Sequence, residues 1–447
     1  MKKRKHSEKY IKAVKNSVRL YKVILPCVFV GMLVLGLFVS LLLPLRPSFS
    51  ENEKRELASF PSFSLSSLLD GSFFRGIDAW FSDTFPFREA MISANEKIEN
   101  LRGFGDRIYG LNNEVVNNNI PPTGSKNEPA TESTTEEKEP TVPDQLGEVI
   151  QKLSNVVVVG SAGYEYCSFN QSVADKYASV VNKTAQRLSG KAKVCSMLVP
   201  TSIDITMSDS VRKGKNITTC DQKAAMEYIY GKMSSSVTPI NIYKAMRMHR
   251  DEYIYFRTDH HWTALGAYYA YEEFARVKNF SAITLDKFEK KSFGEFLGSF
   301  YTNTNSSAMK KNPDTLEAYM PPYKTKLQYT QPDGKVIDWY LVNDTSSYPV
   351  SQKYSAFTAA DNPYTVIENL ERKKGKTCVI IKESFANAVI PYIVYNYKKV
   401  YVIDYRYYKQ GFISLAEKVK ANDVIFINNM SAVRSDSLID RMRAIAV

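Results

Sequence analysis

The run Thr377-Cys378-Val379-Ile380-Ile381, continuing into Lys382-Glu383-Ser384-Phe385-Ala386-Asn387, decides the fold. Its first five residues are apolar or β-branched with no polar alternation, the pattern of a strand covered on both faces. Similar runs occur at Val156–Val159, Ala192–Val199, Tyr253–Phe256, Lys399–Ile403 and Asp423–Asn428. Between them lie helix-like segments at Gln171–Leu188, Gln222–Met233, Ala264–Val277, Phe385–Tyr397, Ser414–Ala421 and Leu438–Ala444. Strands alternating with helices predict an α/β domain over 146–447, built on a doubly wound, mainly parallel sheet. Residues 281–374 break the rhythm. They are rich in Tyr, Asn, Lys and Pro, and predict an insertion or lid with some β-structure. Its rings (Phe293, Phe296, Tyr301, Tyr319, Tyr323, Tyr329) are read either as core or as a platform for sugars.

Ser384 follows the deciding strand directly. In an open parallel sheet, ligands gather outside the carboxyl ends of the strands. A serine there, opening a helix, has backbone N–H groups nearby that can bind a developing oxyanion. The same placement also describes an ordinary N-cap serine, so partners are needed. The chain has four histidines, and two are adjacent in Asp259-His260-His261-Trp262. In extended chain, residues at i and i+2 point to one side with Cα atoms about 6.5 Å apart, so Asp259 and His261 can meet. Thr263 suits the N-cap of the helix that follows, which leaves the Asp-His stretch extended. Asp259 would then hold the Nδ1–H of His261 and leave Nε2 free to take the Ser384 proton. Candidate oxyanion donors are the Ser384 N–H, Asn387 and Arg406.

Two blander readings compete. Asp259, His260 and His261, with His249, are metal-type side chains, but adjacent histidines in extended chain point apart and no CxxC or Cys/His spacing accompanies them. Alternatively, the same residues form an aromatic–histidine cluster that caps a helix. No metal and no cofactor are expected, and His260 is read as a neighbour of the site.

The net charge of +12 suggests a nucleic-acid partner until it is located. Residues 1–22 carry nine Lys/Arg against the single acid Glu8, so most of the excess sits in a short tail and no nucleic-acid partner is expected. Val23 to Leu45 is free of charge and long enough to cross a hydrocarbon core of about 30 Å as a helix. Basic residues before it hold that end in the cytoplasm and send the remainder outward. Pro44-Leu45-Arg46-Pro47 lacks a small-residue cleavage pattern, so the segment reads as a retained single-pass signal-anchor in the bilayer. Residues 46–116 read as a juxtamembrane helical region, with apolar periodicity from Leu65 to about Leu101. Residues 117–145 hold five prolines and no aromatic residue, and read as a disordered linker. Beyond the span, Cys195 and Cys378 lie in strand-like runs as small core residues. With Cys167 and Cys220 the only others there, no disulfide framework is expected.

Asp259-x-His261-Trp262, with Ser384 far downstream at a strand end, resembles the membrane-anchored, SGNH-hydrolase-like DHHW family. The resemblance includes the anchor, Glu53–Ala58 and Trp80–Arg88, and so covers most of the chain. That family is similar to the alginate O-acetyltransferases of extracytoplasmic polysaccharide modification. The resemblance implies Ser384 as nucleophile, His261 as general base and acid, and Asp259 as orienter. It also implies acetyl transfer to or from a cell-surface polysaccharide, and a multispanning membrane acyltransferase as partner. The family usually has aspartate immediately before the serine; here the residue is Glu383. The alternative reading is a non-catalytic glycan-binding or scaffold protein of a polysaccharide-assembly complex.

Overall fold

The structure is a computed structural model that describes residues 156–447, Pro332 apart, together with short pieces before them, chiefly 59–64, 72–85, 139–142 and 149–153. The basic tail 1–22, the expected span 23–45 apart from Gly31, and most of 46–116 and 117–145 lie outside the described residues. Among the described residues no helix is long and apolar enough to cross a membrane. The chain divides into two compact units, Met1–Gly105 and Asp106–Val447.

In the first unit, helix α1 (Ser72–Asp83) falls within the expected helical region. Its buried Trp80 meets Phe60 edge-on at 4.9 Å and carries the Arg46 guanidinium over its ring at 3.9 Å.

The second unit carries thirteen described strands. In chain order they are β1 (Val149–Leu153), β2 (Val156–Val159), β3 (Ala162–Glu165), β4 (Lys193–Val199), β5 (Val237–Asn241), β6 (Glu289–Phe296) and β7 (Asp314–Met320), then β8 (Thr325–Thr330), β9 (Val336–Trp339), β10 (Tyr364–Asn369), β11 (Thr377–Lys382), β12 (Lys399–Asp404) and β13 (Asp423–Asn429). Its main helices are α2 (Gln171–Arg187), α3 (Gln222–Gly231), α4 (Ala264–Lys278), α5 (Phe412–Lys418) and α6 (Asp436–Ala444). The principal sheet has eight strands in the order β9-β8-β10-β12-β11-β13-β4-β5. The five from β12 to β5 are parallel, and β10, β8 and β9 continue the sheet antiparallel. Along β11, Cys378 and Ile380 enter one core with α4, while Val379 and Ile381 enter the other with α2, α3, α5 and α6. Burial on both faces is why this strand shows no polar alternation.

Several expected elements differ. The insertion is no separate lid: its β8 and β10 build into the main sheet, with β9 as the edge, and β6 pairs with β7 as a two-stranded ribbon. Val156–Val159 is a strand, but in a separate antiparallel sheet, β1-β2-β3. Val156 and Val158 pack on Phe300 and Met309, while Val157 and Val159 pack on Ile203 and Met207, so an antiparallel strand acquires the two-sided burial of a parallel one. Tyr253–Phe256 forms no strand; Tyr255 bridges only to Trp262 and closes the loop that carries the histidines. Strand β5 was not among the expected strands; it contains Pro239, which its position at the sheet edge tolerates. Phe385–Tyr397 is not one helix. It breaks into a 3₁₀ turn (Ser384–Ala388), a short α-turn (Ile390–Ile393) with Pro391, and a second 3₁₀ turn.

Against expectation, Cys167 and Cys220 form a disulfide with Cα atoms 5.2 Å apart, while Cys195 and Cys378 are free and buried. Within the linker stretch, Glu139 is placed, its carboxylate accepting from Arg247 at 2.6 and 2.9 Å.

Candidate active site

Strand β11 delivers Ser384 to the carboxyl edge of the sheet. Glu383 caps the 3₁₀ turn, its Oε2 accepting from the Phe385 N–H at 3.1 Å. Its Oε1 accepts from the Asn429 N–H at 2.9 Å, so this side chain ties the serine turn to the end of β13. Burial pushes the Glu383 carboxyl above its ordinary range, against the pull of Arg406 and of these two N–H donors.

The loop before α4 delivers the partners. Trp262, fully buried, donates from Nε1 to the Phe385 carbonyl at 2.8 Å and joins the two distant segments. Thr263 caps α4 as expected, accepting from the Gly266 N–H. With the helix starting there, Asp259 and His261 do share one side: the Nδ1–H of His261 donates to Asp259 Oδ1 at 2.6 Å. On the other edge of the ring, Nε2 lies 2.8 Å from Ser384 Oγ. A carboxylate can only accept, so Nδ1 carries the proton and Nε2 is the acceptor for the serine hydroxyl. All three residues are buried, with 4 to 9% of their surface exposed.

Asp259 is held further by the Ser299 N–H, which donates to Oδ2 at 2.7 Å. Burial alone would raise its carboxyl, but His260, His261 and the Ser299 N–H outweigh that and hold it well below the usual carboxylate range. The ionised orienter that the relay requires is therefore built in.

His260 departs from expectation. Its ring does not point away but lies 3.8 Å from that of His261, because Ser299 Oγ bonds its Nδ1 at 2.6 Å. Burial, then the His261 neighbour, lower its basicity. Ligand-type atoms of Asp259, His260 and His261 thus come within 4.8 Å of one another. Both nitrogens of His261, both oxygens of Asp259 and one nitrogen of His260 are nevertheless already committed to hydrogen bonds, which suits a proton relay better than a metal. His249 is not in the cluster; it stacks on Tyr269 and bonds Glu252.

The three oxyanion candidates separate. The Ser384 N–H has no hydrogen-bond acceptor among the described residues and is available. Asn387 gives its Nδ2 to Asp361 Oδ1 at 3.0 Å, and its buried Oδ1 has no partner. Arg406 is bound to Asp404 at 2.6 and 2.8 Å and to Asp361 at 2.9 Å. Neither reaches Ser384 through a hydrogen bond. Arg406 belongs instead to a neutral group of two acids and two bases, Asp361 and Asp404 with Arg406 and Lys382, whose Nζ lies 2.9 Å from Asp404 and 3.0 Å from Asp361. Asn387 is tied to that group through Asp361.

Sequence reasoning missed Asp361, Tyr354 and the Gly298-Ser299 support. Lys382 did offer a signal: a lysine closing an apolar strand must meet carboxylates if it is buried. A cavity of about 600 Å³ lined by Asp175, Asn182, Gln186, Lys232 and Ser236 contains none of these residues.

A serine hydrogen-bonded to an imidazole that is itself held by a buried carboxylate, on the carboxyl edge of an α/β sheet, is an arrangement shared by several serine-hydrolase-like classes, among them the SGNH-hydrolase-like one. Within it, the chain belongs to the DHHW family, whose model, described as "DHHW protein", matches residues 53–134 and 109–403. The crystal structure of a DHHW family protein from Eubacterium siraeum DSM 15702 is similar, at 25% identity and a TM-score of 0.60, covering 66% of this chain and 96% of that one. Bacillus cereus PatB1 is also similar, at 20% identity and a TM-score of 0.54, covering 63% and 98%. PatB1 with a sulfonyl adduct gives 17% and 0.52, covering 63% and 97%. At these identities the PatB1 structures speak to the fold alone. No curated protein matches the chain.

Proposed function

We propose that this chain is a membrane-anchored, extracytoplasmic serine acyltransferase or esterase that adds an acetyl group to, or removes one from, a cell-surface polysaccharide. The continuous hydrogen bonding of Asp259, His261 and Ser384 carries this reading. Ser384 Oγ bonds to the acyl carbon as its proton passes to His261 Nε2. The carbonyl oxygen becomes an oxyanion, for which the Ser384 N–H is the unpaired donor. Collapse breaks the bond to the leaving alcohol oxygen, which takes the proton back from Nε2. A polysaccharide hydroxyl, or water, then gives its proton to Nε2 as its oxygen bonds to the acyl carbon, and the bond from that carbon to Ser384 Oγ breaks as Oγ takes the proton back from Nε2. Transfer and hydrolysis share these steps and differ in which oxygen reaches the acyl-enzyme.

Two further observations support the placement. The uncharged stretch 23–45 follows a strongly basic tail, the arrangement of a single-pass anchor in the bilayer with a cytoplasmic N-terminus. The Cys167–Cys220 disulfide fits an oxidising compartment. The multispanning acyltransferase partner rests on family resemblance.

The test is labelling with phenylmethylsulfonyl fluoride, read by peptide mass, alongside turnover of an acetyl ester. Ser384 should carry the label. Ser384→Ala and His261→Ala should each lower turnover at least about 10³-fold. An unlabelled Ser384, with turnover unchanged in Ser384→Ala, would favour the non-catalytic glycan-binding alternative.

A further inference from the structure

We propose that Tyr354, contributed by the insertion, is a positioning residue that holds the imidazole and the nucleophile turn in register. The inference rests on the acyl-transfer reading above. Tyr354 touches both halves of the site at once. Its ring lies parallel to the His261 imidazole, 3.9 Å away and inclined by 11°. Its hydroxyl donates to the Ser384 carbonyl at 3.2 Å. The stack opposes swinging of the imidazole about its bond to Cβ, while the hydroxyl fixes the peptide that follows the nucleophile. The in-plane bond from Asp259 to Nδ1 already resists that rotation, and the Tyr354 ring stacked on the imidazole face adds a second restraint.

The turn that bears Tyr354 is itself anchored. The neighbouring Lys353 is buried and donates to the Phe293 and Ser346 carbonyls, and Thr345 Oγ1 donates to the Lys353 carbonyl at 3.1 Å. Just beyond, Thr358, Ala359 and Ala360 have φ of 52°, 59° and 62°, three successive non-glycine residues in the left-handed region. Such a run persists only where its surroundings over-determine it, and it is favoured near functional sites. Here Thr358 Oγ1 donates to the Asn387 carbonyl at 2.8 Å, and Asp361, next after the run, accepts from the Asn387 side chain at 3.0 Å. Residues 354–361 therefore grip the turn Ser384–Ala388 at its first and fourth positions while covering His261. This assigns the insertion a role that its tyrosine content did not suggest: part of it clamps the catalytic geometry.

The experiment compares Tyr354→Leu, which loses ring and hydroxyl, with Tyr354→Phe, which keeps the ring, in the full chain. Two readouts are taken: kcat and KM on an acetyl ester, and exchange with water of the downfield imidazole proton between His261 and Asp259, by NMR. Tyr354→Leu should lower kcat roughly 30-fold with KM within about threefold, and should speed proton exchange at least tenfold. Tyr354→Phe should recover most of both. The inference is overturned if Tyr354→Leu leaves proton exchange as in the parent, or if its loss falls in KM alone, which would mark Tyr354 as a substrate contact. A parent protein with no turnover above Ser384→Ala would instead sink the acyl-transfer reading, and the exchange measurement would still decide whether Tyr354 holds the ring.

Discussion

Gly298 lies against Asp259, and a Cβ built there would overlap both the carboxylate and the Cβ of that residue. Its φ is ordinary, so close approach, not a left-handed backbone, is what requires glycine here. Gly298→Ala should displace the carboxylate that orients His261 and lower turnover about 10²-fold, the scale expected of a misplacement near 1 Å. Kinetics together with thermal unfolding check this, and turnover within twofold of the parent would contradict it. A second residue-scale expectation concerns Lys382, fully buried between Asp361 and Asp404. Lys382→Met leaves the buried Asp404 and the partly exposed Asp361 short of one cation, with Arg406 still attached to both. The cost should be about 3 kcal/mol in urea denaturation, at the low end for breaking a buried pair. Of the site, the parts legible in sequence were those with local rules. The i, i+2 geometry of Asp259 and His261, the cap at Thr263 and the serine at a strand end each follow from a few consecutive residues. Asp361, Tyr354 and Gly298 answer only to neighbours distant along the chain, and nothing in their own sequence context marks them.

At the scale of elements, the strands buried on both faces were recognisable because composition alone reports that environment. The same rule misplaced Val156–Val159, since two-sided burial arose there from Phe300 and Met309 on one face and Ile203 and Met207 on the other. The insertion strands β8, β9 and β10 mix Lys, Gln, Thr and Tyr with apolar residues, because an antiparallel margin is not covered throughout. Periodicity there was too weak to show that they extend the main sheet. The disulfide was likewise illegible, as pairing depends on which loops the fold brings together. It joins the segment after β3 to the segment before α3 across a sequence separation of 53. Cys167→Ala with Cys220→Ala should therefore cost about 2–4 kcal/mol, chiefly by freeing the unfolded chain. Denaturation of the double variant against the parent measures it, and the midpoint of the parent should fall on reduction. Equal midpoints with and without reductant would show that the bridge constrains little.

For the whole molecule, the buried charges set how stability responds to acid. Burial would push the Asp361 carboxyl up, but Lys382 and Arg406 outweigh it and hold it well below the ordinary carboxylate range; Asp259 is held low as well. A carboxyl whose folded value lies below its unfolded value near 3.9 adds stability that is complete above that value. That contribution disappears as the pH falls further, because the unfolded chain then binds the protons more readily. Glu383, raised by burial, has the opposite sign and loses stability as the pH rises through its shifted range. Below about pH 4 Glu383 is protonated in both states and adds no slope, so the two lowered groups predict a fall in unfolding free energy from about pH 4 downward, by up to about 1.4 kcal/mol per pH unit for each proton the unfolded chain binds in excess. Asp361→Asn isolates one of the two. The Asp361 side chain is about a third exposed, at 32%, so solvent screening trims its share, yet the slope below pH 4 should still be shallower than in the parent. The variant should also be less stable at pH 7, where the parent carboxylate is fully ionised between its two cations. Urea denaturation at pH 3 and pH 7 for both proteins reads the difference directly. Parallel slopes would mean that Asp361 titrates alike folded and unfolded, and that the four-charge group beside Ser384 does not hold its acid ionised.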